Sequence, residues 1–314
     1  MEKEERLFEP YPWKTPREYL LSTWRAYNTS LDTLFYDVSC LTQPERVWLS
    51  SHDSPEGSIL IVHPGSAGRE IRNLVPKDFV EEQAASSAEA VDTIVVAGVG
   101  SSAIGTAALA RSVADQRGQP VAGIVSGLGV SDVLSEALGG WFILGAHNTL
   151  RDNYAKMFDA LGLRDHVRDQ ESHEDIKEQL KLADLNEEHF IYGSPDSTAL
   201  LYVLLKLGSR IKLLVGHSKG NYSIENAMEG WIAECRKNNS AISSKLCIVT
   251  LGAVLRFPEE CSEVEQFIGT LDFFGAMNSR PDLKRTYVPG AWHSLNTRLP
   301  GHLSMKTAME SVEC

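Results

Sequence analysis

Cysteine is scarce in this chain, and none of it is closely spaced. The five residues, Cys40, Cys235, Cys247, Cys261 and Cys314, are scattered over 314 positions. With no Cys-x-x-Cys pair, a zinc knuckle, a dithiol redox motif and a disulfide-stapled small fold are all excluded. They read as reduced thiols of a cytoplasmic protein. Positive charge is also lacking: the formal net charge is −12, without a concentrated basic patch. Nucleic acid and anionic membranes are therefore poor partners. No window reaches the roughly 18 consecutive apolar residues of a membrane span. The nearest, at 128–146, is interrupted by Asp132 and Glu136. The opening "MEKEERLFEPYPW" lacks the apolar core of a secretory signal. Internal repeats and low-complexity tracts are missing too.

What is present is enough apolar residue, 43%, for a large core. Tyr19, Leu20, Trp24, Tyr27, Leu31, Leu34 and Phe35 recur at three- and four-residue steps. With Thr15 as cap and Pro16 in the first turn, they predict one apolar face of a helix. Residues 1–44 read as an N-terminal helical arm ending at Pro44, and 45–314 as the main domain. Two short strands, 45–51 ("ERVWLSS") and 57–65 ("GSILIVHPG"), are expected next, followed by a polar, partly helical stretch at 66–90. The pattern then predicts a strand (93–98), a helix (103–117) stopped by Gly118, and a strand (121–126). Residues 128–190 break this rhythm and read as a helical cap inserted into the domain. Helix 196–208, strand 211–216, helix 221–236 and strands 246–251, 264–270 and 285–289 complete an α/β chain. Strands that do not alternate, separated by helices, imply a mostly parallel sheet covered on both faces.

One stretch carries chemistry. Gly216-His217-Ser218-Lys219-Gly220 has the form G-x-S-x-G, with a buried strand before it and a helix after it. Glycines at both flanks clear space around a serine held in a tight strand-to-helix turn. A serine hydroxyl at neutral pH needs a base to accept its proton. Of nine histidines, His293 is the candidate, just past the last expected strand in "VPGAWHSL"; His302 is the fallback. His217 lies inside the turn and points away from Ser218. Asp272, at the end of the penultimate strand in "GTLD", is the expected carboxylate, with Asp282 second. The backbone N–H of Lys219, at the start of a helix, suits an oxyanion donor. A second donor would come from Val99 or Gly100 in the glycine loop 97–105, with the loop 63–68 ("HPGSAG") as its rival.

The loop 97–105 reads poorly as a dinucleotide or phosphate cradle. Its glycines are off by one from G-x-G-x-x-G, and the strand after it ends without an acidic residue. No nicotinamide cofactor or metal is implied.

The elbow "VGHSKG", the acid in "GTLD", the histidine in "VPGAWHSL" and the strand–loop–helix–strand of 93–126 together resemble the α/β-hydrolase superfamily, over roughly residues 45–127 and 190–300. The resemblance implies an α/β-hydrolase fold with Ser218 as nucleophile, His293 as base and Asp272 as acid. It departs from many members in the place of the extra material, which lies before the elbow. The arm weakly resembles polyhydroxyalkanoate synthase-like proteins, which use a cysteine where this elbow has serine. That favours an apolar acyl substrate. The expectation is a serine hydrolase of a carboxylic ester or thioester, with Leu138, Trp141 and Phe142 of the cap lining an acyl pocket. The alternatives are an acyltransferase with the same triad and a binding protein without activity. A homodimer would form through the arm or the cap.

Overall fold

The computed structural model describes residues 32–52, 54–85, 90–98, 101–126, 194–239, 246–310 and 312. The expected cap, with Leu138, Trp141 and Phe142, lies outside them. So do the arm up to residue 31 and both loop positions Val99 and Gly100.

Eight strands form one mixed, mostly parallel sheet: β1 (Ile59–Val62), β2 (Arg72–Leu74), β3 (Thr93–Val96), β4 (Val121–Ile124), β5 (Leu213–His217), β6 (Cys247–Leu251), β7 (Glu263–Gly269) and β8 (Thr286–Val288). Their spatial order is β2-β1-β4-β3-β5-β6-β7-β8. The six strands from β4 to β8 run parallel, whereas β1 is antiparallel to both its neighbours.

Among the described residues, seven α-helices with both ends described go with the sheet: α1 (Gln43–Ser51), α2 (Pro76–Ala85), α3 (Ala103–Arg117), α4 (Pro195–Leu207), α5 (Lys219–Lys237), α6 (Phe273–Met277) and α7 (Met305–Glu310). The strand residues divide by parity between two apolar layers. Ile59, Ile94, Ile124 and Leu214 pack with α2, α4 and α5, while Leu60, Val95, Val121 and Val215 pack with α1, α3 and α7. Both faces are covered, which is why the strands read as unbroken apolar runs. Gly118 ends α3 in the left-handed conformation, at φ +67°, where a β-carbon would be strained.

Three expectations need correction. Residues 45–51 are helical, not a strand. Thr42 accepts the N–H of Glu45 while the Glu45 carboxylate accepts that of Thr42, a reciprocal capping box that starts a helix. Pro44 is accordingly one of the first residues of α1, where its missing N–H costs nothing, so it opens a helix and does not close one. The third concerns thiols: Cys40, Cys235 and Cys261 are free, but Cys247 is disulfide-bonded. The edge strand β2 has no sequence signature, because only three residues form it, with Arg72 exposed and Asn73 and Leu74 half-buried. Among the described residues no helix is long and apolar enough to cross a membrane.

Candidate active site

The chain passes from β3 to β4 on one side and returns for β5 on the other side of β3. Such a switch point opens a crevice at the carboxyl ends of the strands. Gly98, just past β3, and Ser218, just past β5, meet there; a β-carbon on Gly98 would lie 3.2 Å from that of Ser218.

Ser218 sits at φ 53°, ψ −119°, a conformation that non-glycine residues avoid and that persists only when its surroundings enforce it. The enforcement comes from both sides of the turn. The Ser218 N–H donates to the Leu251 carbonyl of β6 at 2.9 Å. A β-carbon at Gly220 would collide with the Val96 carbonyl oxygen and lie 2.7 Å from that of Ala97. At Gly216 it would collide with the Asn221 side chain and lie 2.9 Å from Ile224 Cδ1. Glycine is thus required at both positions for space. Lys219 opens α5, and its side chain is drawn inward: Nζ lies 3.7 Å from both Glu56 Oε1 and the fully buried Asp196 Oδ2.

Asp272 follows β7 and caps α6. Its carboxylate accepts the Gly275 N–H at 2.6 Å and faces His293 Nδ1 at 2.8 and 2.9 Å. Both side chains are buried. A carboxylate can only accept, so Nδ1 carries the proton and Nε2 is left as the basic nitrogen. Gly252, at φ +74°, lets β6 turn close beneath this ring: a β-carbon there would come within 2.8 Å of His293 Cε1. No hydrogen bond among the described residues joins the Ser218 hydroxyl to His293. Phe35 and Phe274 flank the His293 ring, with centroids at 5.9 and 6.3 Å. Around Asp272, the side chains of Leu271, Phe273 and Phe274 stand exposed at 67%, 70% and 55%, a large apolar lip beside buried polar groups.

The runner-up residues lie elsewhere. Asp282 pairs with Arg256 at the surface, and His302 Nδ1 donates to the Leu299 carbonyl. The rival loop 63–68 follows β1, which is antiparallel, and Val62 pairs with Val121 at the start of β4. It therefore emerges at the opposite end of the sheet from Ser218. His147, His166, His173 and His189 lie outside the described residues.

Sequence reasoning missed a group contributed by residues 32–36. The Gly98 N–H donates to Tyr36 Oη at 2.7 Å, and that oxygen lies 2.9 Å from His217 Nδ1. His217 Nε2 lies 2.9 Å from the His293 carbonyl. Since the Gly98 N–H is already engaged, any oxyanion donor from this loop must lie beyond it. Asp32, 1% exposed, reaches the start of α3. It accepts from Ser101 Oγ at 3.1 Å, from Ser102 Oγ at 2.5 Å and from the Ser102 N–H at 3.2 Å. Burial pushes its pKa up to about 6 despite those hydrogen bonds. Burial, helped by the neighbouring His293, pushes His217 down to about 3. Compared with known proteins, the chain matches no family model and no curated protein.

Proposed function

We propose that this chain is a serine hydrolase of the α/β-hydrolase fold that cleaves a carboxylic ester or thioester bearing an apolar acyl group. The observation that carries this reading is Ser218 at φ 53° in a glycine-cleared strand-to-helix turn, at the same sheet end as the hydrogen-bonded pair His293–Asp272. Serine, acid and histidine follow β5, β7 and β8, in the chain order expected of that fold.

In this mechanism Ser218 Oγ attacks the acyl carbon while its proton passes to His293 Nε2. The tetrahedral oxyanion is held by the Lys219 N–H, at the positive end of α5, and by a donor of the loop after β3. Collapse breaks the bond to the leaving oxygen or sulfur, which takes the proton from His293. Water, deprotonated by the same nitrogen, then hydrolyses the acyl-enzyme. Asp272 keeps the proton on Nδ1 and stabilises the imidazolium. The serine–histidine hydrogen bond would form on substrate binding, as catalytic hydrogen bonds in unliganded sites often do. The lip of Leu271, Phe273 and Phe274 beside His293 favours an apolar acyl chain over a charged one.

The test is covalent labelling with a fluorophosphonate, followed by a chain-length panel of activated esters. Wild type is expected to label at Ser218 and Ser218→Ala not at all, with turnover rising with acyl length. Equal labelling of the two proteins would sink the proposal. Labelling without hydrolysis of any ester would move the reading to acyl transfer.

A further inference from the structure

Residues 32–36 cross the site from one side to the other, and their bonds go to both of its halves. On one side, Asp32 holds Ser101 and Ser102, and the Tyr36 hydroxyl holds the Gly98 N–H. These are the two ends of the loop between β3 and α3. On the other side, three bonds tie the segment to the residues just after His293. The Leu295 N–H donates to the Phe35 carbonyl at 2.8 Å. Ser294 Oγ donates to the Leu34 carbonyl at 2.7 Å, and Asn296 Nδ2 to the Thr33 carbonyl at 2.6 Å. Between the two sides stands His217, bonded to Tyr36 and to the His293 carbonyl.

We propose that residues 32–36 form a strap, and that Tyr36 and His217 are positioning residues which hold the loop after β3 and the backbone of His293 in fixed register about Ser218.

Proton counting makes this chain of bonds directional. The His293 carbonyl can only accept, so His217 Nε2 carries a hydrogen. A neutral His217 then has a lone pair at Nδ1, which accepts the Tyr36 O–H. The Tyr36 oxygen in turn accepts the Gly98 N–H. Each donor meets one acceptor, in a single arrangement that runs from Gly98 to His293. Protonating Nδ1 would set a donor against Tyr36, whose hydroxyl hydrogen would then have to leave His217 and turn to Ser101, the other side chain at that oxygen. Losing or re-aiming a buried hydrogen bond costs about 1–3 kcal/mol, so the arrangement disfavours a charged His217. The depressed basicity of this ring agrees with that. The strap thus sets the distance between the loop that would supply an oxyanion donor and the base that would take the serine proton. Displacements of about 1 Å at such places can cost up to a hundredfold in rate.

The kinetic half of this inference rests on the hydrolase reading; the structural half does not, and the experiment separates them. Imidazole nitrogen NMR on the full-length wild-type chain should find His217 as the Nε2–H tautomer, neutral from pH 8 down to 5. Finding Nδ1–H, or protonation near pH 6.5, overturns the strap, and this reading needs no variant to fold. Tyr36→Phe keeps the ring stacked edge-on against His217 but removes the hydroxyl. It should leave the Nε2–H tautomer, which the His293 carbonyl fixes, shift the Nδ1 resonance that loses its hydrogen-bond donor, and slow fluorophosphonate labelling of Ser218 on the order of tenfold. Ester kcat should fall similarly, with KM within about twofold. A Tyr36→Phe protein with a wild-type Nδ1 resonance and labelling rate overturns the proposal. If wild type does not label, the hydrolase reading fails and the tautomer measurement alone decides the strap.

Discussion

The elbow 216–220 and the strap 32–36 hold the same few atoms in place by opposite means. The elbow is held by volume. Its glycines lie against the backbone at the end of β3 and against the start of its own helix, and at Gly220 nothing can yield without moving a strand. The strap is held by polar bonds to residues about 60 and 260 positions away, through side chains that titrate. Steric enforcement is local and independent of pH. Hydrogen-bonded enforcement is distant, and its strength depends on where the protons are. A single corner of the sheet therefore has one component that fails by collision and another that fails by protonation.

Breaking the elbow should have the largest effect. Gly220→Ala sets a β-carbon against the carbonyl oxygens of Val96 and Ala97. Neither is a flexible side chain that can swing aside. Overpacking usually costs about 1–3 kcal/mol, and a clash with two backbone carbonyls of a central strand belongs at or above the upper end. The unfolding free energy, read from urea denaturation, should fall accordingly, by about 3 kcal/mol or more, or soluble protein should be lost. A variant as stable as wild type would mean that the elbow is not packed against β3.

The elbow also explains why so much was legible in advance. Five letters between a strand and a helix encode the constraint, its cause and its centre. The strands β3 to β8 and the helices α3 to α5 were readable for a similar reason, since each is specified by its own apolar run and its own cap. Asp272 and His293 could be picked out because both follow strands whose order was clear. The strap was not legible. Leu34 and Phe35 do lie on a helical apolar period with residues upstream, but nothing local says that Tyr36 meets Gly98 or that Asp32 meets Ser102. Helix α1 was misread for the opposite reason. "ERVWLSS" looks like a short strand until Thr42 and Glu45, two residues just outside or at the edge of that window, are seen to cap it.

The second effect, smaller, comes from His217, the elbow residue that the strap uses. Its folded-state pKa is about 3, against 6.5 for the ordinary side chain. The unfolded chain binds a proton that the folded one refuses. Stability from this group is therefore fully present above about pH 6.5 and is lost as pH falls toward 3. At about 1.4 kcal/mol per pKa unit, the loss is on the order of a few kcal/mol over that window. His217→Gln should flatten the acid limb of a stability-versus-pH curve measured by urea denaturation. It should also lower stability at pH 7, where wild type keeps all its bonds. An unchanged acid limb would mean that His217 titrates normally in the folded protein.

Asp32 supplies the smallest of the three effects and the opposite sign, which makes it the sharpest test of the contrast. Burial raises its pKa to about 6 from 3.8, so here the folded chain holds a proton that the unfolded one releases. The stability it contributes is fully present below about pH 3.8 and is lost as pH rises through about 6. The same acidification that costs stability at His217 restores it at Asp32, and the two partly cancel in wild type between about pH 4 and 6. Asp32→Asn removes only the strap's share. The slope of stability against pH in that interval should become steeper in the variant than in wild type, because His217 is then unopposed. The absolute stability at pH 7 should change less, since the cost of burying a charge is removed while acceptors for Ser101 and Ser102 are lost. A slope that becomes shallower in Asp32→Asn would show that this carboxylate is held ionised in the folded state. Its hydrogen bonds to Ser101, Ser102 and the start of α3 would then outweigh its burial, and the strap would be anchored by a charge.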